Sequence, residues 1–190
     1  VKNSRVSLPV GFTADSVCDA WSAVNGAANA RLCVEIPVST VQMEFVCHKK
    51  PSEVLDMVTT LVRKSKEFCC DVEFAALDAT RSEPDFLAAA VEAAIAAGAA
   101  TVTLCDSAGV MFPDEFVDFI NDLYRRVPSL KDVSLSVQCS DSIYMAAACA
   151  VAAIGEGAAE IRVSVASKEA PSLEAAVHII KNRGDRAGFS

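Results

Sequence analysis

The sequence has little of several features that define large classes of protein. It holds only two histidines and 6% aromatic residues, and 17 basic against 25 acidic residues give a net charge of −8. No basic run is longer than two residues, so we predict neither nucleic acid nor an anionic membrane as a partner. The longest apolar stretch, 143–154, is much shorter than the roughly 20 residues that span a membrane. It predicts a buried helix.

The eight cysteines form no C-x-x-C pair, although zinc sites and redox motifs depend on such spacings. Most of them lie within apolar runs such as LCVEI and AAACAVAA. They predict buried, reduced thiols, which are typical of proteins in a reducing compartment. The first residues, VKNSRVSLPVGF, do not show the pattern of a signal peptide. We therefore expect a cytoplasmic protein.

What the sequence does contain is about six β-α units of roughly 30 residues each, a spacing that is typical of parallel sheets. The strands are predicted to be apolar on both faces, as buried parallel strands are. The predicted strands are 5–10, 31–38, 72–76, 101–105, 133–138 and 160–165, and the predicted helices are 14–26, 51–68, 83–98, 113–126, 141–157 and 172–183. Ser82 is the expected N-cap of the third helix.

This pattern fits an α/β fold of one domain, 1–183, followed by a tail at 184–190. Periodicity alone allows either a doubly wound open sheet or part of a (β/α)8 barrel. No glycine-rich phosphate loop follows any predicted strand, which counts against a Rossmann or P-loop protein.

The segment DVEFAALDATRSEPDFLAAAVEAAIAAGAATVTLCDSAGVMFPDEF, at 71–116, resembles the catalytic barrel of 2-isopropylmalate synthase and homocitrate synthase. These enzymes belong with hydroxymethylglutaryl-CoA (HMG-CoA) lyase to a family of metal-dependent acyl-CoA aldol enzymes. Segments 39–55, 131–142 and 172–189 are similar to other parts of that barrel. The resemblance implies a partial TIM-barrel-like sheet whose six units correspond to the family's third to eighth strands.

The resemblance also implies that the metal site is degenerate. The family holds its metal with an Asp on the first strand, an H-x-H pair on the seventh strand and an Asn after the eighth. Alternate strand residues face the same way, so the two His would both point into the barrel. Here those positions are Gln138 and Ser140, and Ala170 falls where the Asn would be. Leu77 stands where the family's site has a Glu, and Gln42 stands where it has a His. We expect no metal and no other cofactor.

Some positions of the family's substrate site persist. Thr80 and Arg81 match an A-T-R motif whose Arg contacts a substrate carboxylate, and Ser107 keeps the hydroxyl of a family Thr. The resemblance implies a residual site for a 2-oxo acid or an acyl-CoA. The alternative is that these residues are structural, with Asp78 and Ser82 capping turns and Arg81 paired locally with a carboxylate such as Glu83.

Three other residues are candidates for chemistry. His48 and His178 are far apart in sequence and are expected to be solvated. Cys139 lies between the two degenerate positions, where a nucleophile could act, but no His is near it in sequence to lower its pKa.

Two functions remain open. The first is an isopropylmalate/homocitrate synthase-like protein that has lost the metal-dependent aldol chemistry and acts in binding, regulation or assembly. The second is an acyltransferase that condenses acetyl-CoA with a 2-oxo acid, using Mg²⁺, Mn²⁺ or Zn²⁺ and barrel strands supplied by another chain. In both cases an incomplete barrel exposes two strand edges and an apolar interior. We predict that the sheet closes on itself with fewer strands, or that a homo-oligomer or partner subunit covers it.

Overall fold

Six strands form a single parallel sheet whose order follows the sequence, in the computed structural model, which describes residues 2–184. Each strand pairs with the next one along the chain. The strands are β1 (Val6–Val10), β2 (Ala30–Pro37), β3 (Val72–Leu77), β4 (Thr101–Asp106), β5 (Ser134–Cys139) and β6 (Glu160–Ile161). A sequential order has no switch point, which removes the doubly wound sheet from the two predicted architectures.

Helices connect the strands at every crossover. The α-helices are α1 (Ala14–Val24), α2 (Thr40–Gln42), α3 (Pro51–Phe68), α4 (Pro84–Ala97), α5 (Pro113–Arg126), α6 (Ala146–Gly155) and α7 (Leu173–Arg183). A π-helical turn, Met43–Cys47, follows α2, and 3₁₀ turns lie at Ala79–Arg81 and Pro128–Asp132. No helix within residues 2–184 has the length and apolarity to cross a membrane.

The helix ends follow the chemistry of their first residues. α3, α4 and α5 each begin with proline, which lacks the N–H that a first turn leaves unpaired. Two of these ends also carry a glutamate that accepts from the backbone N–H three residues earlier: Glu53 from Lys50 at 2.9 Å and Glu115 from Phe112 at 2.8 Å. The prediction that Ser82 caps α4 is wrong, because its hydroxyl donates to the Val38 carbonyl at 2.8 Å.

The sheet curls into a half-barrel, as the TIM-barrel-like prediction requires. Arg5, just before β1, donates from Nη1 to Oε1 of Glu160 on β6 at 2.9 Å, although the two residues are 155 positions apart. A flat six-stranded sheet would separate its outer strands by about 24 Å at the usual spacing between strands. The contact shows that curvature brings the two edges close together.

One face of the sheet carries the hydrophobic core and the other does not. The helices pack on the outer face, where buried side chains alternate along each strand. These strand residues are Leu32, Val34, Ile36, Val72, Phe74, Ala76, Val102, Leu104, Leu135 and Val137. Among residues 2–184, a small apolar cluster on the concave inner face consists of Cys33, Ala75 and Cys105 with Leu77.

The prediction that the strands are apolar on both faces, and that the interior is apolar, is therefore wrong. Arg31, Glu73, Thr101, Thr103 and Ser136 are buried on the inner face. The charges survive burial because they pair with one another across the curled sheet.

Two predicted elements are shorter than expected. The strand predicted at 160–165 ends at Ile161, and the next N–H, that of Arg162, donates to the Val137 carbonyl at 2.9 Å. Beyond it, Ser164 bonds to the chain's own segment at 171–173. The helix predicted from 141 begins at Ala146. Of the predicted tail at 184–190, only Gly184 is among the described residues.

Candidate functional site

A cavity of about 450 Å³ opens at the carboxyl ends of the strands, the end at which (β/α) barrels place their sites. We call it the mouth pocket. It is lined by Glu35, Gln42, Leu77, Ser107, Gln138, Ser140, Arg162 and Glu169. Gln138 and Ser140, which the resemblance places at the family's H-x-H positions, therefore face the same space, as alternate residues of an extended segment should.

The two degenerate positions are tied to the loop after β6. Gln138 donates from Nε2 to the Glu169 carbonyl at 3.0 Å, and the Ser140 hydroxyl donates to the same carbonyl at 3.3 Å. The Oε1 atom of Gln138 accepts from Nη1 of Arg162 at 3.2 Å. Ala170 follows Glu169, is buried, and offers no side-chain donor. These side chains make hydrogen bonds within the protein where the family would hold a metal.

The donor set does not fit a divalent metal. Mg²⁺, Mn²⁺ and Zn²⁺ are held by carboxylates and imidazoles, whereas this strand offers an amide and a hydroxyl. The guanidinium of Arg162 lies against the amide and adds positive charge where a cation would bind. Its own charge is directed to Glu35 at 2.9 Å and Glu73 at 2.8 Å. Within residues 2–184, no group of three or more His, Cys, Asp or Glu side chains is placed to hold a metal.

The buried carboxylate of Asp78 organises the loop after β3. It accepts from the Ser39 hydroxyl at 2.6 Å and from Nε of Arg81 at 2.8 Å, and its backbone N–H donates to the Ser107 hydroxyl at 3.0 Å. Asp78 takes a left-handed conformation with φ 60°, which Asp tolerates better than most residues. The loops after β2, β3 and β4 are joined through this one residue.

The three predicted substrate residues do not converge on one point. Ser107 lines the mouth pocket. Thr80 donates to Oδ1 of Asp106 at 2.8 Å and lines a separate cavity of about 120 Å³ between α4 and α5. Arg81 is half exposed and pairs with Asp78 rather than with the predicted Glu83. The hydrogen bond to Asp78 raises the pKa of Arg81.

The other candidate residues lie away from the mouth pocket. Cys139 is fully buried in the core between sheet and helices, because its neighbours Gln138 and Ser140 occupy the opposite face. Burial raises the pKa of its thiol well above the ordinary value, so it does not supply a nucleophile. His48 and His178 are both exposed, on the β2–α3 connection and on α7.

The residues that the sequence reading missed form an interior ion network beside the mouth pocket. It consists of Arg5, Arg31 and Arg162 with Glu35, Asp71, Glu73 and Glu160. Burial alone would lower the pKa of Arg31, but the hydrogen bond and charge of Glu160 raise it above its ordinary value. A signal was present, because charged residues four positions apart in β2, Arg31 and Glu35, must share one face.

Comparison with known proteins explains this architecture. A family model described as HMGL-like matches residues 1–168. The chain belongs to the HMGL-like family. Among its relatives, 2-isopropylmalate synthase from Pelotomaculum thermopropionicum is 36% identical over 165 residues, which cover 87% of this chain and 33% of that protein. The enzyme from Psychromonas ingrahamii is 34% identical over 194 residues, covering 100% of this chain and 37% of that protein.

Solved structures of low sequence identity share the HMGL-like fold. HMG-CoA lyase from Brucella melitensis superposes with a TM-score of 0.75 at 15% identity, covering 95% of this chain and 66% of that one. The lyase from Pseudomonas aeruginosa gives a TM-score of 0.73 at 14% identity, covering 94% and 61%. The HMGL-like chain thus spans about a third of the length of the curated relatives it matches, and less than two thirds of these structures.

Proposed function

We propose that this HMGL-like chain is an isopropylmalate/homocitrate synthase-like protein without the metal-dependent aldol chemistry, acting in the cytoplasm in binding, regulation or assembly. One observation carries the proposal. Gln138 and Ser140 bind the Glu169 carbonyl, and Arg162 lies against Gln138, at the positions where the family holds its metal.

The lost chemistry needs groups that the mouth pocket does not offer. Condensing acetyl-CoA with a 2-oxo acid requires a base for the methyl proton and a cation to polarise the ketone. Arg162 already forms ion pairs with Glu35 and Glu73. The Glu35 carboxylate is therefore paired with a cation and is not free to act as the base. Neither histidine of the chain lines the pocket.

The mouth pocket can still bind a ligand without converting it. The Ser107 hydroxyl, the Gln138 amide and the Arg162 guanidinium face one cavity of about 450 Å³, and a carboxylate accepts hydrogen bonds from all three groups. We therefore include a 2-oxo acid or an acyl-CoA as ligand in the proposal. Such binding would retain the family's recognition of its substrates without the family's chemistry.

The alternative is an acyltransferase completed by strands from another chain. A second chain could bring further strands and a carboxylate. It could not replace Gln138 or Ser140, because Gln138 lies on β5 of this chain and Ser140 directly follows that strand. The geometry therefore favours the first function.

The test is thiol release from acetyl-CoA by the purified protein with Mg²⁺, Mn²⁺ or Zn²⁺ and a panel of 2-oxo acids. We expect no release above a protein-free control. Release that depends on the metal and on one 2-oxo acid would contradict the proposal and support the acyltransferase.

Calorimetric titration with the same acids tests whether the mouth pocket binds them. Gln138→Glu places a negative charge in the pocket and should weaken binding of a carboxylate at least tenfold. Asn3→Asp makes the same change in charge on the exposed N-terminal segment and should leave binding unchanged. Equal effects of the two variants would place the ligand elsewhere.

A further inference from the structure

A second cavity, of about 400 Å³, lies inside the half-barrel and opens between β1 and β6. We call it the interior cavity. In a complete (β/α) barrel, layers of branched apolar side chains fill this space. Here the interior ion network lines it, and the cavity shares Glu35 and Arg162 with the mouth pocket. A cavity with this lining suits a polar ligand better than an apolar one.

The Ser136 hydroxyl marks the polar centre of the interior cavity. Its side chain is fully buried on β5 and lines the cavity, yet its Oγ atom has no hydrogen-bond partner within residues 2–184. In the register of the sheet, Ser136 lies beside Thr103 of β4 and Glu160 of β6. Because an unpaired buried hydroxyl costs free energy, a ligand gains a hydrogen bond at this atom.

The buried arginines of the interior cavity have few donors left for an anionic ligand. Arg31 makes five hydrogen bonds, one for each of its N–H groups. The two terminal nitrogens of Arg162 donate four hydrogen bonds within the protein. A carboxylate or a phosphate would therefore have to displace existing partners of these guanidinium groups.

Two carboxylates of the interior cavity keep a free acceptor position. Glu73 accepts two hydrogen bonds on Oε1 and one on Oε2, and Glu160 does the same. A carboxylate has about four acceptor positions, so each of the two retains one on Oε2. Both Oε2 atoms accept from the same Nη1 atom of Arg31, which places the two free positions near each other.

The interior ion network carries one excess negative charge, because its three arginines face four carboxylates. A buried charge is stable only when it is paired, so a cation would complete the network. At the opening, Ser7 and Pro9 of β1 and Ile161 of β6 offer neutral and largely apolar surface. The cavity therefore matches a cation that has N–H donors at one end and an aliphatic chain at the other.

We propose that the interior cavity binds a primary amine in its ammonium form. The three N–H groups donate to Oγ of Ser136 and to Oε2 of Glu73 and Glu160. The aliphatic chain lies against Pro9 and Ile161 at the opening. The mouth pocket stays open, because the amine enters between β1 and β6. The inference goes beyond the proposed function and does not depend on whether the mouth pocket binds an acid.

The test is a titration of the isotope-labelled full protein with n-butylamine at pH 7, where the amine is protonated, followed by NMR. We expect saturable shifts of the backbone amides of Ser136, Glu160 and Ile161, with a dissociation constant of about 1 mM. Butan-1-ol, which has the same chain without the charge, should give no saturable shifts. Equal binding of the alcohol, or no saturation by the amine at about 20 mM, overturns the inference.

Matched serine variants test the position of the ammonium group. Ser136→Ala removes a hydrogen bond to a charged group and should raise the dissociation constant about tenfold. Ser65→Ala is the control, because the Ser65 hydroxyl is also buried without a partner within residues 2–184 but lies on α3. It should leave the constant unchanged. Neither variant should lower the melting temperature of the free protein, because each removes an unpaired hydroxyl. An unchanged constant in Ser136→Ala overturns the inference.

A neutralised carboxylate tests the role of the excess negative charge. Glu160→Gln removes that charge from the interior ion network and should raise the dissociation constant of the amine at least tenfold. Glu174→Gln makes the same change in charge on exposed α7 and should leave the constant unchanged. Equal effects of the two variants would show a general attraction of the amine to an acidic protein, and would overturn the inference.

Discussion

Arg31 and Glu160 join the second strand of the sheet to the last across the interior of the half-barrel. Nη1 of Arg31 lies 2.7 Å from Oε2 of Glu160, and Nη2 donates to Oε1 at 3.1 Å. The contact is bidentate, which gives a guanidinium–carboxylate pair both strength and a fixed orientation. The edges of the sheet are thereby held together by side chains where a complete barrel would use further strands.

The centre of the interior ion network is Glu73, which is buried between two arginines. Its carboxylate accepts from Arg162 at 2.8 Å, from Arg31 at 3.4 Å, and from the Thr103 hydroxyl. We predict that Glu73→Gln lowers the free energy of unfolding by about 3 kcal/mol, because Arg31 and Arg162 lose the carboxylate partner that is itself buried and keep only partly exposed ones. Asp122→Asn, which removes the exposed pairs with Arg125 and Arg126, should cost much less, because exposed ion pairs contribute little to stability. Equal losses in urea denaturation would contradict the buried role of Glu73.

The same network makes stability depend on pH through Glu160. The hydrogen bond from Arg31 lowers the pKa of the Glu160 carboxyl, against the opposing effect of burial. A folded-state pKa below the unfolded one stabilises the protein above the unfolded pKa, and this contribution is lost as the pH falls through the folded pKa. We therefore expect the free energy of unfolding to fall less steeply in Glu160→Gln than in the wild type, from pH 5 downward into the acid range. Urea denaturation at several pH values measures both slopes, and identical slopes would show that Glu160 is not a source of the dependence.

Gly109 lies where no other residue fits. Its φ is +64°, and a Cβ atom there would stand 2.3 Å from the carbonyl oxygen of Ser140. We predict that Gly109→Ala lowers the free energy of unfolding by at least about 2 kcal/mol, through backbone strain and displacement of the end of β5. Gly26→Ala is the matched control, because nothing lies within 4 Å of its Cβ and its φ is not positive. A cost at Gly109 no larger than that at Gly26 would contradict the close contact between the two loops.

When the native protein is treated with a thiol reagent, we expect the exposed cysteines to react faster than the buried ones. Cys18 and Cys70 are exposed, and we expect them to react first. Burial raises the pKa of Cys105 to about 12 and that of Cys149 to about 11, so their thiolates are scarce at neutral pH. Mass spectrometry after brief labelling with N-ethylmaleimide identifies the modified positions. Early modification of Cys105 or Cys139 would contradict their burial.

Much of the fold could be read from the sequence because local signals and the tertiary structure agree. Pro51 and Pro113 begin helices, and Gly98 takes the left-handed conformation after α4. The predicted β6 is too long because Val163 and Val165 continue the strand-like alternation in sequence, whereas the backbone N–H of Ser164 bonds to Pro171 and not to β5. That change depends on contacts with residues 171–173, which no local pattern reveals.

The candidate site could likewise be predicted from the sequence only in part. The replacement of the family's metal ligands by Gln138 and Ser140 is implied by the sequence resemblance, since it needs only residue identities. The partners of these side chains were not visible, because they depend on the register between β5 and β6 and on the path of the loop after β6. The pairing of Arg81 with Asp78 instead of Glu83 likewise depends on the left-handed turn at Asp78.

We infer that the mouth pocket of this HMGL-like protein does not hold a divalent metal. The most direct measurement is a titration of the purified, chelator-treated protein with Mn²⁺, followed by calorimetry and by the paramagnetic signal of the free ion. We predict no stoichiometric binding to the wild type, and no change in Gln138→Leu. One Mn²⁺ bound per chain, weakened at least tenfold by Gln138→Leu and unaffected by Asn3→Asp, would contradict the claim.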